Sequence, residues 1–292
     1  MKFTFSARPP FNFLSVINSH GWRQLAPFSY EEGSNTLCYI LRLSNGRVIE
    51  LKFRDGTDGV SVETEKLDKK ERKEVAEKVS WMFGLDMDFS HFYAASRAEP
   101  KLARAKKLAR GRVLRSPTLF EDVIKTILTT NTLWAATKNM TLKLVNELGE
   151  PLPADVSKKA FPTPEAIAAS SPDFLKEKIR VGYRAPAIYQ LAARVASGKF
   201  DLESLKTSKL PTLELRKELL TINGVGPYAA ANLLMLLGRH DFIPIDSYAL
   251  KMVSKEWYRG ESITAKEVEK RFEKWGEFKG LAYWFWDWEE NQ

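Results

Sequence analysis

Two glycines and a nearby aspartate are the part of this sequence best suited to chemistry. Gly224-Val225-Gly226 lies between two apolar runs, and Pro244-Ile245-Asp246 follows after the second run. This order predicts a helix, a tight hairpin, an apolar helix, a short loop, and an acid that opens another helix. The glycines allow positive φ and the close approach of another backbone. Hairpin N–H groups and the start of the next helix form a site for one phosphate. The carboxylate can then act on the molecule that carries this phosphate.

Composition indicates a folded protein with an anionic partner. The 292 residues suffice for two subdomains or one large domain, and 44% hydrophobic with 12% aromatic residues suffices for a packed core. A formal net charge of +8 favours an anionic partner. A lysine-rich surface would explain the charge equally well.

Cysteine and histidine usage argues against a metal centre. The single cysteine, Cys38, excludes a disulfide framework, a cysteine-rich zinc site and a four-cysteine iron–sulfur cluster within one chain. The three histidines, His20, His91 and His240, lack the spacing of metal ligands. We therefore expect no cofactor. No secretion signal and no apolar run of about 20 residues occur, so we expect an intracellular protein without membrane contact, located in the cytoplasm or nucleoid, or in the nucleus of a eukaryote.

The elements that must position these residues change in type along the chain. The first part is rich in β-formers and turn signals, and the pattern from about residue 89 onward is almost wholly helical. Ser44-Asn45-Gly46 predicts a hairpin turn, and Gly84 fits a helix C-cap. We predict strands over 36–43, 48–53 and 60–64, helices over 66–83, 100–109, 184–198, 264–275 and 280–288, and a loop over 147–153.

The glycine hairpin with Pro244-Ile245-Asp246 resembles the helix–hairpin–helix, Gly/Pro-Asp superfamily of base-excision DNA glycosylases. Two further stretches, 161–164 and 181–185, resemble the middle helices of that family, and residues 128–132 resemble its segment that enters DNA. The N-terminal strands and the basic helix resemble the extra domain shared by bacterial alkylbase (3-methyladenine II type) and 8-oxoguanine glycosylases. The resemblance covers nearly the whole chain, and the hairpin with its aspartate is the most specific part.

The resemblance implies a fold, a partner and an ion. The fold is α+β, mostly α: an N-terminal antiparallel β-sheet domain over residues 1–95, and a helical region of two lobes around a cleft over residues 96–292. The implied partner is double-stranded DNA containing a damaged base, bound by a monomer. A monovalent cation held by the carbonyls of Leu220, Ile222 and Val225 is also implied.

Asp246 matches the essential aspartate of the family. Breaking the bond between sugar C1′ and a base nitrogen passes through a transition state that resembles an oxocarbenium ion. A fixed carboxylate stabilises that positive charge and orients or deprotonates water. The alternative is that Asp246 only caps the helix that begins near Ser247.

The remaining DNA contacts are implied residue by residue. Gly224, Val225 and Gly226 grip the backbone beside the lesion, and Asn131, flanked by Thr130 and Thr132, fills the gap left by the flipped base. The alternative for Asn131 is a capping residue at a polar helix end. The basic segment that contains Arg104, Lys107 and Arg110 either contacts phosphates or is a solvated face.

Aromatic rings are candidates for the base pocket. Flat, electron-rich rings stack on a flipped base and attract a cationic alkylated purine. The candidates are Tyr228, Tyr283, Trp134 and Trp284, with most other rings of the chain end expected in the core. The 8-oxoguanine branch carries Gln where Tyr283 lies, which argues against that substrate.

Tyr228 also bears on the reaction type. Lyase-competent family members place a lysine two residues after the second hairpin glycine, which forms a Schiff base with C1′, and Tyr228 occupies that position. Lys251 is poorly spaced to share a helix face with Asp246, so we do not expect it to replace the missing lysine. Lys125 matches no lysine with a known role in the family. We therefore predict a monofunctional glycosylase acting on alkylated purines such as 3-methyladenine. The alternatives are a bifunctional 8-oxoguanine-type glycosylase/lyase and a DNA-binding module without catalysis.

Overall fold

The computed structural model describes residues 1–286 of the chain. The strands are β1 Lys2–Ser6, β2 Phe28–Glu31, β3 Thr36–Arg42, β4 Val48–Gly56, β5 Gly59–Glu63, β6 Pro151–Leu152 and β7 Asp155–Lys159. The helices are α1 Phe13–Ile17, α2 Lys69–Phe83, α3 Ser90–Ser96, α4 Leu119–Thr129, α5 Trp134–Leu148, α6 Pro164–Ala168, α7 Pro172–Phe174, α8 Ala185–Ala196, α9 Thr212–Leu220, α10 Pro227–Leu236, α11 Ser247–Trp257, α12 Ala265–Phe272 and α13 Lys279–Trp284. The predicted α+β, mostly α class with an N-terminal antiparallel sheet is confirmed.

The chain divides into two compact units. Unit 1 comprises Met1–Met87 and Arg112–Lys206, and unit 2 comprises Asp88–Gly111 and the chain from Thr207 onward. The limits of these compact units differ from the domain boundary that the sequence predicts at residue 95. The domain boundary itself stays a prediction.

Unit 1 contains a five-stranded antiparallel sheet in the order β1-β5-β4-β3-β2. The predicted hairpin joins β3 to β4: the Leu43 N–H donates to the Arg47 carbonyl at 2.8 Å, and Gly46 takes φ +89°. A turn between these strands needs positive φ, which glycine adopts without a Cβ penalty. The α2 prediction also holds, with Asp68 and Glu71 forming a capping box and Gly84 at φ +57° ending the helix.

A buried ion pair ties α4 to the sheet. Lys125 is completely buried, and its Nζ lies 2.6 Å from Glu121 Oε1 one helical turn earlier. The other Glu121 oxygen accepts a hydrogen bond from the Tyr39 hydroxyl on β3 at 2.5 Å. A buried charge is tolerated only when it is paired and hydrogen-bonded, so the three side chains fix the position of α4 on the sheet together.

Asp122 links the same helix to the N-terminal segment. Its carboxylate is fully buried, and Oδ1 accepts hydrogen bonds from Trp22 Nε1 at 2.8 Å and from the Ser116 N–H at 2.9 Å. Burial is the main reason that the pKa of Asp122 rises to about 6. The first half of α4 is therefore held on both sides by buried polar contacts.

The predicted basic helix over 100–109 is wrong, because this segment is a series of turns. Its N–H groups bond to carbonyls three, four and five residues earlier: Leu102 to Glu99, Leu108 to Arg104 and Arg110 to Ala105. Ala109 at φ +51° then breaks any regular helix. Arg110 is buried and so does not belong to a solvated basic face, whereas Arg104 and Lys107 are exposed.

The predicted loop over 147–153 contains the short strand β6, which pairs with β7. The sequence signal was weak because β7 carries one apolar residue, Val156, whose side chain is exposed. Leu152 anchors the ribbon by packing with Ile40, Val48 and Ala160.

Unit 2 has an aromatic core. The Phe272 ring lies within 5.3 to 5.7 Å of the rings of Trp257, Trp275, Tyr283 and Trp286. The pairs with Trp257, Tyr283 and Trp286 are edge-to-face, and this geometry adds to the stabilisation from buried aromatic surface. Within residues 1–286, no helix has the length and apolar content needed to cross a membrane.

The buried Asp122 predicts an unusual dependence of stability on pH. Its folded pKa of about 6 lies above its ordinary value of 3.8. Its contribution to stability is therefore fully present below pH 4 and is lost as the pH rises through about 6. Asp122→Asn keeps both accepted hydrogen bonds and cannot ionise, so its free energy of unfolding should equal or exceed that of wild type at pH 7.

Denaturant unfolding at pH 4, 5, 6 and 7 checks this prediction. Asp122→Ala is the matched comparison, because it leaves the Trp22 and Ser116 donors without an acceptor and should lose about 2–4 kcal/mol at every pH. A loss in Asp122→Asn at pH 7 as large as that in the alanine variant would contradict the assignment.

Candidate active site

The predicted glycine hairpin connects α9 to α10 in unit 2. After α9 ends, the Ile222 N–H donates to the Leu219 carbonyl at 3.1 Å and the Val225 N–H to the Ile222 carbonyl at 3.0 Å. Gly224 takes φ +85°, a conformation that favours glycine. These two turns reverse the chain within five residues.

The two glycines face outward and the valine faces inward. Val225 is buried and holds the hairpin on its unit, whereas Gly224 and Gly226 are exposed. Gly226 is the N-cap of α10 with φ −91°, and a Cβ added to it would meet no atom within 4 Å. Neither its conformation nor packing within the described chain requires glycine there. Close approach by another molecule would require it.

The start of α10 can receive an anion. Gly226 supplies no side-chain cap, and Pro227, which has no N–H group, occupies the first helical position. The Ile222 carbonyl accepts a hydrogen bond from the Val225 N–H. The monovalent cation at the carbonyls of Leu220, Ile222 and Val225 stays a prediction.

Asp246 lies at the N-terminus of α11. Its Oδ1 accepts a hydrogen bond from the Ala249 N–H at 2.8 Å, so Asp246 does cap α11. Its Oδ2 has no hydrogen bond within residues 1–286, and the side chain is half-buried. Capping holds one oxygen and aims the other, while the helix dipole favours the negative charge. The structural role is thus compatible with a catalytic one.

The lysines available for a Schiff base differ in their environment. Tyr228, half-buried in the first turn of α10, occupies the position where lyase-competent relatives carry lysine. Lys251 is exposed on α11. Lys125 is buried in unit 1 and paired with Glu121, so its amine is not accessible to a sugar.

The aromatic residues at the chain end lie mostly in the core. Tyr283 is 8% exposed, and its ring packs edge-to-face on Phe272 at 5.7 Å. Phe285 and Trp286 are buried, and Trp284 is half-buried. Asp287 and Trp288 of the predicted last helix lie outside the described residues. The base-pocket roles of Tyr283 and Trp284 stay predictions.

The predicted DNA-entering segment forms an exposed loop in unit 1, which we call the α4–α5 loop (residues 130–133). Thr130 takes an extended conformation at the end of α4, and Asn131 follows at φ +47° with an exposed side chain. Thr132 is half-buried beside it. Asn131 lies beyond the C-cap, and its positive φ is more readily adopted by asparagine than by most other residues.

Tyr183 is a neighbour of this loop that the sequence analysis did not assign to the site. Its side chain is 64% exposed, and its hydroxyl lies 3.4 Å from both Thr130 Oγ1 and Asn131 Nδ2. Hydrogen bonding with Thr130 is the main reason that the pKa of Tyr183 is lowered. Buried Arg184 donates to the Thr130 carbonyl and packs beneath the Tyr183 ring, so Gly182-Tyr183-Arg184 supports the loop.

Trp134 anchors the other end of the loop. Its Nε1 donates to Gln24 Oε1 at 3.0 Å. A Cβ added to Gly21 would lie 2.2 Å from the Trp134 ring, so the indole lies directly on that backbone. This contact supports an anchoring role, and the base-pocket role of Trp134 stays a prediction.

Leu133, between the two anchored ends, is 81% exposed. It is also the N-cap of α5 and provides no side-chain hydrogen bond to the helix. Leucine at an N-cap costs about 1 kcal/mol relative to Ser, Thr, Asp or Asn. Neither burial nor helix stability accounts for leucine here.

The predicted site residues therefore form two groups. Unit 2 holds the glycine hairpin, Tyr228, Asp246 and the chain-end aromatics, and unit 1 holds the α4–α5 loop with Trp134. Tyr183 and Arg184 join the second group. In the sequence, Tyr183 is visible as an aromatic residue between a glycine and an arginine. Only the fold shows that it lies beside the α4–α5 loop. Within residues 1–286, no cluster of His, Cys, Asp and Glu has the arrangement of a metal site.

Comparisons with known proteins identify relatives in sequence and in fold. A DNA-3-methyladenine glycosylase of Bacillus subtilis (strain 168) is 29% identical over 182 residues, which are 61% of this chain and 59% of that protein. The chain thus spans about three fifths of the length of that relative.

Two solved structures share the fold. A 3-methyladenine DNA glycosylase from Archaeoglobus fulgidus has a TM-score of 0.75 at 20% identity, covering 100% of this chain and 99% of that one. An 8-oxoguanine glycosylase/lyase from Clostridium acetobutylicum in its apo form has a TM-score of 0.72 at 21% identity, covering 94% and 91%.

The family model described as "HhH-GPD superfamily base excision DNA repair protein" matches residues 124–278. This match exceeds half of the chain and includes the α4–α5 loop, the glycine hairpin and Asp246. The chain belongs to the HhH-GPD superfamily of base-excision DNA repair proteins.

Proposed function

We propose that this protein is a monofunctional DNA glycosylase that flips a damaged base out of duplex DNA and hydrolyses its N-glycosidic bond. The observation that carries the proposal is Asp246, whose Oδ1 is fixed by the Ala249 N–H and whose Oδ2 is unbonded among the described residues. It occurs in a chain that matches the base-excision repair family over residues 124–278.

Asp246 is the catalytic residue in this proposal. As the bond to the base lengthens, positive charge develops at C1′, and a carboxylate already oriented by its cap stabilises that charge without reorganising. The same oxygen orients the water that attacks C1′ and accepts its proton. The products are the free base and an abasic site.

The glycine hairpin binds the DNA backbone in this proposal. Exposed Gly224 and Gly226 let a phosphate approach the hairpin N–H groups and the uncapped start of α10. In unit 1, Asn131 fills the vacated position, and Thr130 and Thr132 contact the backbone beside it. Tyr183, bonded to the same loop, adds an exposed ring to this surface.

The monofunctional assignment rests on the lysines. Tyr228 has no amine to form a Schiff base, and the Lys125 amine is paired with Glu121 in the interior. Lys251 is exposed on α11 and is the residue that an alternative lyase mechanism would need. Without a Schiff base, the strand beside the abasic product stays intact until alkali cleaves it.

Alkylated purines are the proposed substrate class. The Bacillus subtilis relative is named a DNA-3-methyladenine glycosylase and shares 29% identity with this chain. N-alkylation makes a purine cationic, which weakens its bond to the sugar and favours stacking on an electron-rich ring. Tyr228 and Trp284, both half-buried, are the pocket aromatics best able to meet such a base.

Asp246→Asn tests the catalytic role. Asparagine is as good an N-cap as aspartate, so α11 and DNA binding should be preserved while excision of 3-methyladenine falls by about 100-fold or more. Single-turnover excision and binding to a lesion-bearing duplex are measured on the same preparation. Asp68→Asn makes the same change at the N-cap of α2 and should excise at the wild-type rate. Excision by Asp246→Asn at that rate would refute the assignment.

Gly226→Ser tests the phosphate site. Serine is a good N-cap residue and its Cβ meets no atom within 4 Å, so the melting temperature should be unchanged or slightly raised. Its side chain occupies the approach of the phosphate, and duplex affinity should fall about tenfold or more. Gly33→Ser is the matched control, because a Cβ there also meets nothing within 4 Å. Equal affinities of the two variants would contradict a phosphate contact at Gly226.

Borohydride trapping tests the reaction type. Wild type incubated with alkylated duplex and borohydride should give no covalent adduct, and strand cleavage should require alkali. Tyr228→Lys restores an amine at the position used by lyase-competent relatives, so this variant should become trappable. An adduct with wild type that disappears in Lys251→Gln would instead establish the bifunctional mechanism.

A further inference from the structure

A cavity of about 430 Å³ opens on unit 2 beside α11 and α12, and none of the predicted site residues lines it. Its volume lies within the range of about 300–1,000 Å³ that is typical of sites for small ligands. We call it the α11–α12 pocket. Three aromatic and three basic side chains contribute to its walls: Trp257, Tyr258, Trp286, Lys270, Arg271 and Lys274.

The indole of Trp286 has a buried donor without an acceptor. The side chain is 5% exposed, and its Nε1 makes no hydrogen bond with any residue that the structure describes. Most buried polar groups are hydrogen-bonded, because a buried N–H without an acceptor destabilises the folded state. Packing in the aromatic core requires the ring of Trp286 but not its N–H group. An acceptor on a ligand in this pocket would satisfy that donor.

Arg271 is oriented by an aromatic neighbour rather than by a carboxylate. Its Nε donates to the Tyr258 hydroxyl at 3.2 Å, and its guanidinium carbon lies 4.6 Å from the centroid of the Tyr258 ring. Within residues 1–286, neither Arg271 nor Lys270 has an ion-pair partner, and both side chains are exposed. The terminal N–H groups of an oriented arginine bind an oxyanion through two parallel hydrogen bonds, and an adjacent lysine adds charge.

Two carboxylates complete the lining and restrict the kind of anion. Glu99 lies 2.9 Å from Lys274 Nζ, and Glu256 lies 2.9 Å from Lys101 Nζ. A carboxylate accepts several hydrogen bonds, so each keeps acceptor capacity beside its lysine. These carboxylates would repel an acidic peptide, but they can accept hydrogen bonds from the amino group of a nucleobase. Aromatic rings, an oxyanion-binding pair and acceptors together match the base and phosphate of a nucleotide.

We propose that the α11–α12 pocket binds a nucleoside phosphate, with the phosphate on Lys270 and Arg271 and the base among the aromatic rings. The ligand is a free nucleotide or an unpaired nucleotide of a DNA strand, because both present the same base and phosphate. The pocket is separate from the proposed catalytic residue, and the inference does not rest on base excision.

Isothermal titration calorimetry of the full chain with deoxyadenosine monophosphate tests this proposal. We expect one nucleotide per chain, bound about tenfold or more tightly than deoxyadenosine, which lacks the phosphate, or deoxyribose 5-phosphate, which lacks the base. Lys270→Gln and Arg271→Gln should each weaken nucleotide binding about tenfold. Lys270→Gln should keep the wild-type melting temperature, because this side chain contacts no partner among the described residues. Lys266→Gln removes another exposed lysine of α12 outside the pocket and should bind like wild type.

The Trp286 indole provides a second readout. Its N–H signal in a proton–nitrogen correlation spectrum, assigned by its loss in Trp286→Phe, should shift when the nucleotide is added. A single-stranded tetramer of deoxyadenosine distinguishes the two sources of the ligand. Tighter binding of the tetramer than of the nucleotide, with the same dependence on Lys270, identifies a DNA strand, and equal binding identifies the free nucleotide.

Several results would overturn the proposal. They are an absence of nucleotide binding by wild type, equal binding of deoxyribose 5-phosphate, unchanged binding in Lys270→Gln and Arg271→Gln, and tighter binding of hexaglutamate than of the nucleotide. These outcomes are separable from those of the proposed function, because no readout requires excision. If wild type excises no lesion but binds the nucleotide through Lys270, the pocket stands and the glycosylase proposal fails. If wild type excises lesions but does not bind the nucleotide, the reverse holds.

Discussion

The hydrogen bond from the Ala249 N–H to Asp246 Oδ1 is the interaction on which the proposed chemistry depends. A free carboxylate on a loop would rotate, and it would have to be oriented again in each reaction cycle. The cap removes that freedom, and the N-terminus of α11 stabilises the ionised form. One interaction therefore begins a helix and orients an acid, so capping does not compete with the proposed catalytic role of Asp246.

The α4–α5 loop depends on a different kind of constraint. Its first anchor is α4, whose early turns are fixed by the Lys125–Glu121 pair, the Tyr39 hydroxyl and Asp122. Its second anchor is Trp134 on the Gly21 backbone. If this loop contacts DNA as proposed, it gains from such support, because conformational freedom lost before binding does not reduce affinity. The buried polar groups of α4 thus contribute to positioning as well as to stability.

Much of the fold and part of the site were predictable from local sequence. The helix cap at Gly84, the hairpin turn at Gly46 and the bend at Gly224–Gly226 follow from the backbone preferences of single residues. The role of Tyr183 did not follow, because its contact with Asn131 joins residues 52 positions apart. The segment over 100–109 was wrongly predicted as a helix because its apolar residues are spaced as in a helix. Its N–H groups instead bond to carbonyls three, four or five residues earlier, which forms irregular turns.

The division of the chain into units has a consequence for biosynthesis. Residues 88–111 interrupt unit 1, and their own partners come much later: Phe89 packs with His240, Phe92 with Phe278, and Lys101 pairs with Glu256. During translation, unit 1 is complete once residue 206 has left the ribosome, while the excursion still lacks the surface it packs on. Until the last helices are made, Phe92 lacks the Phe278 ring that it contacts in the folded protein, and Lys101 lacks its partner Glu256.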